Sequence, residues 1–220
     1  LNGDSEKYGA KLDVCRHLRG LRTARAAHGS AALGRILLAA ALLAAVPAKA
    51  PATDGGADEA PTEYQVKAAF LFNFARFVEW PPSAFENATS PIGVCVLGDD
   101  PFGDALNRVV AGKMLGERTL MVRRAKKLRE LGGCEILFIS GSERGHLPEI
   151  FEELRSAPVL TVGECEDFAT RGGEVQFTLE ESHVHILINV DATERAGLKV
   201  SSKLLSLAHV VHGDPLRKKS

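Results

Sequence analysis

The chain has 220 residues, 45% hydrophobic and 25% charged, with 27 Lys/Arg against 28 Asp/Glu. Those proportions belong to a folded chain and exclude a disordered, collagen-like or multi-span membrane protein. Residues 1–50 hold eight Lys/Arg and three Asp/Glu, a balance of +5, so residues 51–220 carry about −6 and offer no basic footprint for DNA or RNA.

In chain order, Arg16, Arg19, Arg22, Arg25 and Arg35 precede an apolar run from Ile36 to Val46, followed by Ala48-Lys49-Ala50. A basic stretch, a short apolar core and an A-x-A site spell a secretory signal within residues 1–50, cleaved after Ala50. Its eleven apolar residues fall short of the ~20 that a membrane-spanning helix requires. The mixed-charge prefix fits a signal poorly, and the expected translation start lies between Leu18 and Leu33. Residues 51–62 (PATDGGADEAPT) have too little apolar surface to order themselves and read as a linker. The folded unit is expected over 63–212, with 213–220 as a tail. Export places the protein in an oxidising compartment, where three cysteines remain after cleavage: Cys95, Cys134 and Cys165.

Glu63 to Trp80 has no Gly or Pro and stops at Pro81-Pro82, which predicts a helix with apolar side chains around most of its circumference. Ile92–Leu97 (IGVCVL), between Pro91 and Gly98, reads as a strand covered on both faces. Asp100 is placed to cap a helix from Phe102 to about Val110, with Pro101 at its first position. Further strands follow at Arg118–Arg123, Cys134–Ser140 and Ala157–Val162, with a helix at Pro148–Arg155. Then Val175, Phe177 and Leu179 alternate with polar residues, as do Val184, Ile186, Ile188 and Val190, which predicts an antiparallel hairpin with one wetter face. Ser201 or Ser202 caps a last helix carrying Leu204, Leu205, Leu207, Ala208 and Val211, with His209 and His212 at its end. The fold class is α/β: one domain, about six strands in a mostly parallel sheet with an antiparallel hairpin, and helices on both faces.

Sites are sparse. Gly98-Asp99-Asp100-Pro101-Phe102 stands where a strand gives way to a helix, the usual ligand position in a parallel sheet, yet it lacks a nucleotide-binding glycine pattern. A capped turn is the simpler reading of Gly98, Asp99, Asp100 and Phe102; a ligand cleft is the alternative. His183 and His185 are two apart in a strand without a third ligand at a readable spacing, so no metal or other cofactor is expected. No serine has a nucleophile-elbow context, and Cys165 sits among Glu164, Glu166 and Asp167, where a thiol makes a poor nucleophile. No catalytic residues are assigned and no enzyme is expected. Neighbouring strands could bring Cys95 and Cys134 together in a bridge, with two separate buried thiols as the alternative.

Several segments resemble the YfiR family of periplasmic regulators. They are KAAFLFNFARFVEWP (Lys67 to Pro81), IGVCVLGDDPFG (Ile92 to Gly103), CEILFIS (Cys134 to Ser140), PVLTVG (Pro158 to Gly163), Ile188-Asn189 and AGLKVSSKLLSLA (Ala196 to Ala208). The likeness runs from about Glu63 to Val211. It implies a non-catalytic repressor, a homodimer, that binds an inner-membrane diguanylate cyclase or another membrane receptor and holds cyclic-di-GMP synthesis and biofilm formation down. It also implies an outer-membrane lipoprotein that sequesters the repressor, and a bridge matching Cys95–Cys134 that supports the fold; Cys165 has no evident mate for a second. An apolar contact surface for such a partner is expected on the first helix (Phe72, Trp80) or the hairpin (Val184, Ile186, Ile188). The rival expectation is a small-molecule sensor or solute-binding module using the Gly98–Phe102 turn.

Overall fold

The computed structural model describes residues 60–213, so the expected secretory signal, most of the expected linker and most of the expected tail lie outside the described residues. Helix α1 (Glu63–Phe77) begins at a reciprocal cap: Thr62 Oγ1 accepts from the Gln65 backbone N–H, and Gln65 Oε1 accepts from the Thr62 N–H. It ends three residues earlier than expected, because Val78 turns extended and strand β1 (Val78–Glu79) leaves the helix before the prolines are reached. Ala68, Leu71, Phe74 and Ala75 recur at three- and four-residue spacing and form its buried stripe.

The main sheet then grows by alternation. Strand β2 (Ile92–Leu97) is buried at every position. Helix α2 (Asp104–Val110), the short strand β3 (Met114–Leu115) and strand β4 (Arg118–Ala125) follow. Strand β5 (Ile136–Ile139), helix α3 (Leu147–Glu153) and strand β6 (Leu160–Gly163) come next. The hairpin is strand β7 (Val175–Glu180) and strand β8 (His183–Asn189), turned at Glu181 and Ser182, both with positive φ. Helix α4 (Val190–Arg195), strand β9 (Lys199–Val200), helix α5 (Ser202–Leu205) and strand β10 (His209–Val211) complete the described chain.

The sheet is mixed and eight-stranded, in the order β10-β8-β7-β6-β5-β2-β4-β3, while β1 and β9 form a separate antiparallel pair. All six strands read from the sequence are present; the two further ones are the edge strands β3 and β10, of two and three residues. Pairing is parallel from β4 through β7 and between β8 and β10, and antiparallel at β7–β8 and β3–β4.

Three expectations are corrected. Asp100 does not cap α2: its Oδ1 accepts from the Phe102 N–H at 2.8 Å, closing a local turn, and the helix starts only after Gly103. The last helix is one turn long, and after Leu205 the chain extends into β10, so His209 belongs to a strand. β-Branched Val210 and Val211 prefer that pleated setting. Cys134 does not open β5 but precedes it by two residues.

The pleat sends alternate β2 and β5 residues to two cores. Val94, Val96, Ile136 and Phe138 pack under α1 and α2, with Val175, Phe177, Ile186 and Ile188 in the same cluster. Cys95, Leu97, Leu137 and Ile139 pack on the other side with Leu147, Ile150 and Phe151 of α3 and with Phe168. Helices therefore cover both faces. Phe74 and Phe177, fully buried and stacked with centroids 6.0 Å apart, each contribute roughly 1.5–3 kcal/mol by burial alone. Phe168 lies between two glycines: a Cβ at Gly163 would come within 2.4 Å of its ring and one at Gly173 within 2.1 Å. No helix of the described residues is long and apolar enough to cross a membrane.

Candidate functional site

The turn after β2 is occupied by the protein's own side chains. Gly98 takes φ +90°, which a side chain would strain, and a Cβ there would strike Ser142 Oγ at 2.4 Å. The Asp99 N–H donates to that hydroxyl oxygen at 3.0 Å. Arg124 donates Nε to Asp100 Oδ2 at 2.6 Å, Nη1 to Asn107 at 3.1 Å and Nη2 to the Gly103 carbonyl at 2.9 Å. Lys126 pairs with Asp99. Phe102 is buried edge-on against Phe138 and Tyr64. Gly98, Asp99, Asp100 and Phe102 are thus brought together in a turn fastened by Arg124.

The first turns of α1 are tied down beside it. Lys67, only 3% exposed, is held between Glu63 and Glu164, and the Tyr64 hydroxyl donates to Glu164 at 3.2 Å. These charges compensate one another where burial would otherwise be costly. Sequence inspection passed over Lys67, although a lysine inside an aromatic helix is the visible signal.

The bridge Cys95–Cys134 is formed, with Cα atoms 5.9 Å apart. Cys95 is in register with Leu137, so Cys134 reaches it from the loop before β5 rather than along the ladder. That loop lies close over β2: a Cβ on Gly93 would sit 2.0 Å from the Gly133 carbonyl oxygen. Cys165 is a buried thiol outside the bridge.

The expected contact residues divide by register. Ile186 and Ile188 face the α1 side and are 1% and 0% exposed, so they are core and present no surface. Val184 is half-buried against that core and sits across from Leu179, which is 45% exposed. Trp80 is half-buried, and its Nε1 donates to the Glu135 carbonyl at 3.1 Å, a bond of about 1 kcal/mol that gives it a structural place. Phe72 is half-buried on α1, with the Arg76 guanidinium 5.9 Å from its ring centre. Two exposed apolar residues near the hairpin's open edge were not singled out from the sequence: Leu207, 68% exposed, and Val210, 44% exposed. The expected last helix, carrying Leu207 and Val211, ends at Leu205, and the chain beyond it leaves Leu207 and Val210 exposed. Val210 is the Cα partner of Ile188 and extends the same sheet face at its edge.

Two buried carboxylates cap neighbouring strands. Glu135 accepts from the Gly93 N–H at 2.5 Å, and burial raises its pKa despite the nearby Arg123 and Arg118. Glu174 accepts from the Thr161 N–H at 3.0 Å and from the Thr161 hydroxyl, and full burial pushes its pKa up to about 7. Each stands immediately before a strand and supplies an acceptor to the N–H of the strand beside it. Among the described residues no three His, Cys, Asp or Glu side chains converge as a metal site.

A family model described as YfiR/HmsC-like matches residues 64–209. No curated protein matches the chain.

Proposed function

The chain belongs to the YfiR/HmsC-like family, and from that membership we propose that it is a periplasmic, non-catalytic regulator that binds and represses a membrane-bound diguanylate cyclase. In doing so it limits cyclic-di-GMP synthesis and biofilm formation. The observation that carries this reading is the extent of the family match, residues 64–209, which runs from the second residue of α1 to the first residue of β10. A formed disulfide agrees with an oxidising compartment. The proposal includes export through the segment 1–50 with cleavage after Ala50, a regulatory domain over 63–212, a homodimer, and sequestration by an outer-membrane lipoprotein.

Repression by contact needs an exposed apolar surface. Leu179 and Val184 at the hairpin tip, Leu207 just before β10, Val210 within β10, and Phe72 on α1 are its proposed members. Loss of the gene is expected to raise cellular cyclic-di-GMP and biofilm mass. Leu179→Asp with Leu207→Asp is expected to reproduce that rise while leaving the melting temperature nearly unchanged, since exposed substitutions cost little. Unchanged cyclic-di-GMP in the deletion strain would overturn the function; a rise in the deletion strain but full repression by the double variant would overturn the surface alone.

A further inference from the structure

The hydrogen-bonding register places two histidines from different elements on one open face of the sheet. In β8, His183, His185 and Leu187 point away from the core that holds Val184, Ile186 and Ile188. His209 of β10 is the Cα partner of Leu187, so its side chain projects from that same outer face, diagonal to His185. The two rings lean together, with centroids 6.3 Å apart and planes inclined by 40°. This meeting depends on the chain leaving α5 after one turn; with His209 on a helix the pair would not exist.

We propose that His185 and His209 form a binding site for a divalent first-row transition metal, with Zn2+, Ni2+ and Cu2+ as the class and Cu2+ the tightest. Two imidazoles on one tetrahedral ion, each nitrogen about 2.0–2.1 Å from it, hold their ring centres about 5 Å apart. The rings therefore need to close by roughly 1 Å, which small χ rotations of a half-buried and an exposed side chain supply. Because no third His, Cys, Asp or Glu converges there among the described residues, water completes the coordination shell. His183 does not join: it lies on the far side of His185 from His209, and its Nδ1 is 2.9 Å from the Glu181 carbonyl oxygen.

The physical effect of the ion is to staple the three-residue edge strand β10 to β8, which is otherwise held by few ladder bonds. Binding to the folded chain alone raises its stability by mass action. The test uses the untagged protein and the metals alone. Zn2+ is expected to raise the melting temperature while Mg2+ does not. Substoichiometric Cu2+ is expected to broaden the imidazole resonances of His185 and His209 before those of the remaining histidines. His185→Gln and His209→Gln are each expected to abolish the Zn2+ shift; His183→Gln and His212→Gln are expected to keep it. Absence of a shift in the unsubstituted protein, its survival after loss of either ring, or its loss with His183 would each overturn the site.

Discussion

Serine at Cys95, at Cys134 or at both is expected to destabilise the oxidised protein by a similar amount, about 2–4 kcal/mol. The bridge joins residues 39 apart, and closing a loop of that size removes unfolded-chain entropy equivalent to about 4 kcal/mol in the chain-entropy description. Burial of Cys95 adds the requirement that its partner sulfur fill the space beside it, since this side chain is fully enclosed with Leu137 and Phe168 in the same cluster. Because either substitution removes one and the same bond, the double variant should lose little beyond a single one. Denaturant unfolding of the four proteins, with and without reductant, reads this directly. Additive losses, or an unsubstituted protein indifferent to reductant, would mean that the bridge does not constrain the fold.

Glu174→Gln is expected to remove a pH dependence of stability of about 2–3 kcal/mol between pH 5 and pH 8. The folded-state pKa of Glu174 is about 7, above the ordinary value of 4.5, so the folded chain binds this proton more tightly than the unfolded chain. Its contribution is complete below about pH 4.5 and is lost as pH rises through 7, because ionisation in a fully buried position carries the desolvation cost. Over pH 5 to 8 the loss integrates to about 2.5 kcal/mol. Glutamine with its amide oxygen in the Oε2 place retains an acceptor for both the Thr161 N–H and the Thr161 hydroxyl, so the variant should fold and should match or exceed the parent above pH 7. Glu135, also raised, remains in both proteins and cancels in the comparison. Parallel pH profiles for parent and variant would show that Glu174 is ionised in the fold at neutral pH or is reached by water.

What could be read in the sequence follows the length of the hydrophobic signal. The runs at 92–97 and 136–139 are apolar on both pleats because helices cover both sides, and such runs are visible without a partner sequence. β3, β9 and β10 have two or three residues and no period to detect; tertiary pairing makes them strands. Helix α4 escaped because V-D-A-T-E-R has a weak apolar stripe, and its signal was Asn189, whose side chain accepts from the Ala192 N–H as an N-cap. Asp100-Pro101 was legible as a turn but not as one that delays its helix from Phe102 to Asp104. The contact surface was the least legible part. Alternation identifies which hairpin residues share a face, yet only tertiary packing determines that Ile186 and Ile188 join the α1 core while Leu179 stays outside it and exposed. The histidine pair was invisible for the same reason, since 185 and 209 meet only through the register of β8 and β10.

The Phe168 ring wedged between Gly163 and Gly173 carries a consequence for how this chain can diverge. Neither glycine has φ in the region forbidden to other residues, so it is volume and not backbone that keeps them bare. Positions 163, 168 and 173 therefore share a single allotment of space, and an alanine at either end is compatible with the fold only where the aromatic has given way to a smaller side chain. Divergent sequences should cross that barrier by paired exchange, through the intermediate with the smaller ring-position residue and a tolerable void, never through the one in which the methyl group arrives first.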